Sequence, residues 1–401
     1  MKTFKSLAAL AALSLLATNG ALAKPAADIK VMTQNQYLGA DLTPIIEAGS
    51  PAAFNAAVIT ALHAIGNNNL PARAAALAES ISDKQPHLVA LQEVYAFECE
   101  DFGSGHCGLF QAAFNDHLAL TMQALDGQYE VAAVVQNLTL PPAGLPLPGI
   151  PVFLAPNSPP AFFIRVIDRD VILARADVET TVVDFACAED LVSLDGCNFE
   201  LVATTPFPNP AGGDPILINI ERGYVGVDAT IGDASYRFIN THLEVKVLGG
   251  NPASVWIQAV QASELWSAIL TDFNYTQRLI VTGDFNSSSA DPALPFPIPG
   301  GVLHRPYQQF ANGTLFAGQS LFFPLTDVWN LRPGKPDSFT CCELADLSNA
   351  VSQHDERIDV VFAFPAPASV KVNVLDAEAG DKTLSGHWPS DHASVSAELA
   401  Y

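Results

Sequence analysis

The chain has 401 residues, 49% of them apolar and only 15% charged, enough for a large core in one α/β or sandwich domain or in two smaller ones. Its formal charge is −23, and so acidic a surface argues against electrostatic wrapping of nucleic acid or of an anionic membrane. It leaves room for an enzyme that draws phosphate into one cleft where a metal ion supplies the positive charge.

Residues 1–23 read as a signal peptide. Lys2 and Lys5 give a positive start, Leu7 to Ala17 is an apolar run, and Ala21-Leu22-Ala23 fits a small-x-small cleavage site. The expectation is export, cleavage near Ala23, and a mature domain over 24–401 that is secreted or periplasmic. No later apolar stretch is long enough and free of Pro and Gly to span a bilayer, so no stable membrane span is expected. Export makes the six cysteines candidates for disulfides. Cys99 with Cys107 and Cys187 with Cys197 are the economical local pairs. The adjacent Cys341 and Cys342 form a vicinal bridge or stay reduced.

In the mature chain, Ile29 to Gln34 alternates apolar and polar residues as a strand does and delivers Asn35 at its end. Pro44 through Ser80 is Ala- and Leu-rich with helical spacing, broken near Gly66 to Asn69, which predicts two helices. Leu88-Val89-Ala90-Leu91 is a buried strand that ends in Gln92-Glu93. A carboxylate straight after so apolar a strand needs a partner; a structural salt bridge answers that need as well as a functional site does. A helix from Leu109 to Leu125 and a strand from Tyr129 to Val135 follow. Leu138 to Phe163 is crowded with Pro and apolar residues, which predicts an irregular insertion, packed over the core edge in the favoured reading or exposed as a contact surface.

Asp170 to Ala176, Tyr224 to Thr230 and Tyr236 to Ile239 are further strands; Arg222 precedes the second, and the third runs into Asn240-Thr241-His242-Leu243-Glu244. A helix with Trp256, Val260, Leu265 and Ile269 on its apolar side leads to Leu279-Ile-Val-Thr-Gly-Asp-Phe-Asn-Ser-Ser-Ser289. Gly283 should stop that strand, leaving Asp284 and Asn286, two apart, on one face. An isolated Asp-Phe-Asn is an Asx turn; here it has company. Arg357-Ile358-Asp359 opens another strand, Val370 to Val374 follows, and Ser390-Asp391-His392 precedes the last strand, Ala393 to Leu399.

Polar groups thus recur at strand ends: Asn35, Glu93, His242, Asp284, Asn286, Asp359, Asp391 and His392. Any one has a structural explanation, but strand ends on one edge of a sandwich converge on one cleft. Two histidines with carboxylates suit acid–base work near neutral pH. The oxygen donors suit Mg²⁺, Mn²⁺ or Ca²⁺ rather than zinc.

The order of Asn35, Leu91-Gln92-Glu93, Asn240-Thr241-His242-Leu243, Gly283-Asp284-Phe285-Asn286, Arg357-Ile358-Asp359 and Ser390-Asp391-His392 resembles the endonuclease/exonuclease/phosphatase superfamily, over Ile29 to Leu399. The resemblance implies a DNase I-like four-layer α/β sandwich, two packed mixed β-sheets flanked by helices, with the cleft at the strand ends. It implies Glu93, Asn35 and Asp391 around the metal, Asn286, Arg222 and Asn35 on the phosphate, and Asp284 with Asn286 on both. His392, oriented by Asp359, would activate water or steady the phosphate, and His242 would be the acid for the leaving oxygen. The glutamate that pairs with that acid histidine in the DNase I-like branch has Asp168 or Asp170 as its nearest counterpart, which leaves the role open.

The implied activity is that of a secreted metal-dependent phosphodiesterase acting as a monomer on nucleic acid or on a phospholipid headgroup. Asn-Thr-His-Leu and Arg222 favour an endonuclease. Lys and Arg together number only 19, and Tyr95 stands near where the DNase I-like branch places a DNA-contacting arginine. Export and the apolar insertion favour a sphingomyelinase-like phospholipase C. The lean is to the nuclease, and a catalytically silent binding protein on the same fold is the alternative of another class.

Overall fold

The computed structural model describes residues 28–142, 148–209, 213–248, 250–295, 301–315, 323–332 and 338–401. The expected signal peptide lies outside the described residues. Among those described, two mixed sheets of eight strands each form the centre of the protein. In the first sheet Ile29–Asn35 runs parallel to Leu88–Gln92 and antiparallel to Ser394–Ala400. In the second, Ala234–His242 runs parallel to Arg278–Asp284, which is antiparallel to Asp359–Phe364.

Each parallel pair needs a crossover, and helices provide it. Pro51–Asn67 and Leu70–Lys84 join the first pair, and Ser254–Asp272 joins the second. Ser50 caps the first helix through Ala53 N–H at 3.2 Å, and Asn69, at φ 51°, breaks the chain between the two at the predicted place.

Strand alternation assigns the layers. Val31, Ala90 and Ile172 face Val227, Phe238 and Ile280 across the interface between the sheets, all buried. Met32, Val89 and Leu91, on the opposite face of the first sheet, pack with Ala78, Ile81 and Leu125 from the helices outside it. Ile239, Val281 and Phe362 meet Leu265, Trp266, Ile269 and Phe310 on the far side of the second. The order is helix, sheet, sheet, helix, the expected four-layer α/β sandwich. Each buried Leu, Ile or Phe here stabilises by roughly 1.5–3 kcal/mol. All six cysteines are paired, Cys99–Cys107, Cys187–Cys197 and Cys341–Cys342.

Several local expectations change. The helix expected over Leu109 to Leu125 is a 3₁₀ stretch, His106–Ala113, then an α-helix, His117–Leu125, capped by Asp116. Non-helical backbone at Phe110 and the Asp116 cap divide what periodicity alone joins. On Ser254–Asp272 the buried stripe is Ala259, Ala262, Leu265, Trp266 and Ile269; Val260 is 39% exposed. The insertion is more regular than its prolines suggest. Tyr129–Leu140 extends into it, and Ile150–Val152 pairs with Phe162–Arg175. Pro151 is tolerated because that short strand lies off the main path of the sheet. No helix among the described residues is long and apolar enough to cross a membrane.

Pro151 and Val152 are buried, and Leu138 and Leu140 are half-buried against the same core cluster as Phe162 and Ile164. Deleting 141–151 removes a strand pairing as well as apolar contacts. The expected outcome is a markedly lower melting temperature, read by calorimetry; a deletion that melts like the parent would contradict the packed reading.

Candidate active site

The parallel registers bring the polar strand ends together. Asn35 stands opposite Gln92, so Glu93 follows at the same edge. His242 stands opposite Asp284, and Asp284 opposite Asp359 on its other side. Between the sheets, Gln92 Nε2 donates to Asn240 Oδ1 at 2.7 Å, and Asn240 Nδ2 donates to the carbonyls of Leu91 and Val171. These buried amides tie the first sheet to the second just behind the site.

Three backbone irregularities aim the side chains. Gly283 lies inside the strand rather than ending it, at φ 140°, and a Cβ there would meet Thr241 O at 1.9 Å. Glu93 and Asn286 adopt φ of 54° and 46°, uncommon for residues with side chains. Asn286 N–H donates to Asp284 Oδ1 at 2.8 Å. The Asx turn therefore forms, and it is also what carries Asn286 into the cleft.

Asp284 is the hub. Its Oδ2 accepts from Asn35 Nδ2 at 3.1 Å and lies 3.5 Å from His242 Nε2 and 3.8 Å from His392 Nε2. Asn35 Nδ2 also reaches Glu93 Oε1 at 3.2 Å, while Leu38 N–H holds Glu93 Oε2 at 2.9 Å. His392 Nδ1 bonds Asp359 Oδ2 at 2.8 Å. Cys342 Sγ lies 3.9 Å from His392 Nε2, which places the vicinal bridge beside the imidazole.

On its Nδ1 side His242 faces a cation, with Asp284 on the Nε2 side. Arg222 Nη1 approaches its Nδ1 at 3.1 Å. A guanidinium can only donate, so Nδ1 carries the lone pair and Nε2 carries the proton. Asn286 Nδ2, 3.2 Å from that nitrogen, donates instead to Leu243 O at 2.9 Å. Asp168 and Glu244 lie 3.8 Å from the same guanidinium. The open question of a carboxylate partner resolves this way: Arg222 stands between Asp168 and His242, and Asp170 is bound by Asn137 Nδ2.

Protonation follows from these neighbours. Burial, Arg222 and His392 hold the pKa of His242 well below the ordinary value, so it is neutral. His392 is raised well above it, because Asp359, Asp391 and Asp284 overcome the effect of burial. Burial followed by Asp359 lifts Asp284 to about 7. Burial lifts Asp391 to about 7, with Glu93 adding to it while His392 and Arg73 oppose. Burial also raises Asp170 well above the carboxylate range.

Carboxylates therefore outnumber cations at this edge: Glu93, Asp168, Asp170, Glu244, Asp284, Asp359 and Asp391 against Arg73, Arg222 and His392. Glu93 and Asp391 are hard oxygen donors and only half-buried; Asn35, expected among the metal ligands, instead turns its amide nitrogen to Glu93 and Asp284 while its Oδ1 accepts from Tyr37 N–H at 2.9 Å. Mutual repulsion of Glu93 and Asp391 is what a divalent cation between such groups relieves, so the donor set fits Mg²⁺, Mn²⁺ or Ca²⁺.

Sequence reasoning assigned no role to Glu244, although it lies two residues beyond His242 in the same motif. It also passed over Arg73, a lone arginine in an Ala-rich helix turn. Arg73 is 1% exposed, bonds the carbonyls of Tyr37 and Pro389, and stands behind Asp391.

The sequence profile of the Endonuclease/Exonuclease/phosphatase family matches residues 52–392. Among curated proteins none matches the chain in sequence. Similar solved structures include an endonuclease/exonuclease/phosphatase family protein from Bacteroides thetaiotaomicron, 15% identical over 94% of this chain and 99% of that one at a TM-score of 0.49. A mannosyl-6-phosphatase from the same organism is 16% identical over 93% and 100% at 0.47. Truncated TDP2 from Caenorhabditis elegans is 14% identical over 93% and 98% at 0.44.

A pH dependence follows from these shifts. Raised folded-state pKa values in Asp284, Asp391 and His392 all favour the protonated forms. Their stabilisation is complete at low pH and is lost as pH rises through the folded values, around and above 7. The urea midpoint of EDTA-treated protein is expected to fall between pH of about 5 and about 8, and added Mg²⁺ to restore most of the loss at the upper end. His242 and His117, with lowered pKa values, act in the opposite sense as pH rises through the ordinary histidine value, so the assignment is refuted by an Asp284→Asn midpoint that falls as steeply as the parent's.

Proposed function

The chain belongs to the endonuclease/exonuclease/phosphatase family, and from that premise we propose that it is a secreted phosphodiesterase dependent on a divalent cation. The observation that carries this reading is Asp284 within 3.8 Å of both His242 and His392, with His392 locked onto Asp359. Glu93 and Asp391 would hold the cation, with Asn35 steadying Glu93 through its Nδ2 at 3.2 Å. When bound, it supplies charge stabilisation to the phosphate and lowers the pKa of a bound water.

The chain's own groups divide the remaining work. Asp284, near 7 and in reach of both imidazoles, is matched to taking a proton from water. His392, held protonated by its carboxylates, sets a positive charge against the non-bridging oxygens. His242 is neutral and offers its Nε2–H, with the Asn286 amide beside it, as a hydrogen-bond donor toward the leaving oxygen. This shifts the weight of His242 from acid to neutral donor. Of the two roles considered for His392, it favours steadying the phosphate.

An endonuclease and a sphingomyelinase-like phospholipase C both fit this chemistry. Purified protein with Mg²⁺ or Mn²⁺, offered plasmid DNA, RNA, sphingomyelin and a phosphomonoester side by side, separates them. EDTA is expected to abolish hydrolysis, and silence toward all diesters would overturn the proposal. His242→Ala and His392→Ala are each expected to lower turnover at least ~10²-fold with the fold retained by circular dichroism. Near-native turnover in either variant removes that residue from the mechanism. Secretion has its own readout: N-terminal sequencing of exported protein should begin near Lys24.

A further inference from the structure

Beside the catalytic centre lies a cavity of about 200 Å³. Val58 and Ala61 of the helix Pro51–Asn67 form one wall, Ile150 and Ile164 of the first sheet a second, and Phe207 and Ile218 a third. The third wall is a separate hairpin, Ala203–Phe207 with Ile216–Ile220. Its alternation turns Phe207 and Ile218 inward and leaves Leu217 67% exposed. The space is partly open to solvent and lined mainly by apolar side chains, the form that small-molecule sites commonly take. The walls here are shaped for an apolar occupant.

The cavity reaches the catalytic centre. Asp168 and Arg222 line it, and so does Leu38, whose N–H holds Glu93. Arg222 is 9% exposed, and its Nε has no hydrogen-bond partner although Nη1 contacts His242. One guanidinium thus borders both the phosphate chemistry and the apolar space. A group attached to a phosphate at His242 would pass Arg222 and enter the cavity.

We propose that this cavity binds one aliphatic chain of the substrate, which makes the substrate a phospholipid phosphodiester. The proposal rests on the phosphodiesterase reading above and deepens it. In the reaction, the oxygen of water bonds to phosphorus and the P–O bond to the chain-bearing alcohol breaks. The two protons of that water end on the departing alcohol and on the phosphate monoester that stays with the headgroup.

Binding and turnover test it separately. Calorimetric titration with hexyl-, octyl- and decylphosphocholine in EDTA, below their micelle concentrations, needs no catalysis. Affinity is expected to rise roughly four-fold per added methylene. Ala61→Phe fills the space and should abolish that dependence; Val58→Phe serves if the first variant misfolds. In Mg²⁺, either variant should lose at least ~10-fold in kcat/KM on sphingomyelin in mixed micelles while hydrolysing bis(p-nitrophenyl) phosphate like the parent. Chain-length-independent binding by the parent overturns the proposal, as does a folded variant that binds decylphosphocholine as well as the parent does. Flat binding with DNA cleavage rejects the chain site and keeps the phosphodiesterase. Chain-dependent binding with no turnover of any diester keeps the site and rejects the activity.

Discussion

The constraint behind the whole arrangement is the crowding of carboxylates at the edge where two sheets meet. Burying an ionised carboxylate without a partner is costly, and this edge buries Asp168, Asp170, Glu244, Asp284 and Asp359. Arg222 and Arg73 offset part of the charge, His392 offsets more by holding a proton, and the raised pKa values of Asp168, Asp170 and Asp284 reduce the rest. Burial and the neighbouring carboxylates both raise these pKa values, and a divalent cation, in the function proposed above, would relieve the repulsion among them.

Such crowding survives only on a rigid frame. The Gln92–Asn240 amide bridge joins the sheets, and the Gly283 backbone lies against Thr241 with no room for a methyl group. Left-handed conformations at Glu93 and Asn286 add strain that neighbouring hydrogen bonds hold in place. Strain and buried charge sit on the same few residues, next to fully apolar strands that resist distortion. Stability is supplied by the core and given up at the edge.

Much of this was legible in the sequence. Strands such as Leu88–Gln92 and Arg278–Asp284 are apolar runs ended by polar groups, and residues singled out by the motif order, such as Asn35, His242, Asp284, Asp359 and His392, come together at one edge. The pairing of Asp359 with His392 was likewise foreseen and is found at 2.8 Å. Other features depend on distance in sequence. Arg222 reaching His242 before Asp168 does is a matter of side chains from two strands and from the connection before a third, and no local pattern encodes it. The stretch His106–Ala113 departs from the expected helix because Phe110 leaves helical backbone and Asp116 caps a new helix, which apolar periodicity does not register. Proline-based reasoning on the insertion failed at Ile150–Val152 because an edge strand does not need every N–H.

Charge and apolarity then divide recognition between two neighbouring spaces. An edge so rich in carboxylates repels a phosphate until positive charge is added, so anion binding there is conditional. The cavity beyond Arg222 is lined mainly by Leu, Ile, Val and Phe, with Asp168, Glu221 and Arg222 among its other residues, so burial of an aliphatic chain there would not depend on a cation. A net charge of −23 disfavours long polyanions at any distance but has no such hold on a zwitterionic lipid headgroup. On an acidic protein, an apolar foothold beside the phosphate site is the form of substrate recognition that the rest of the surface does not oppose.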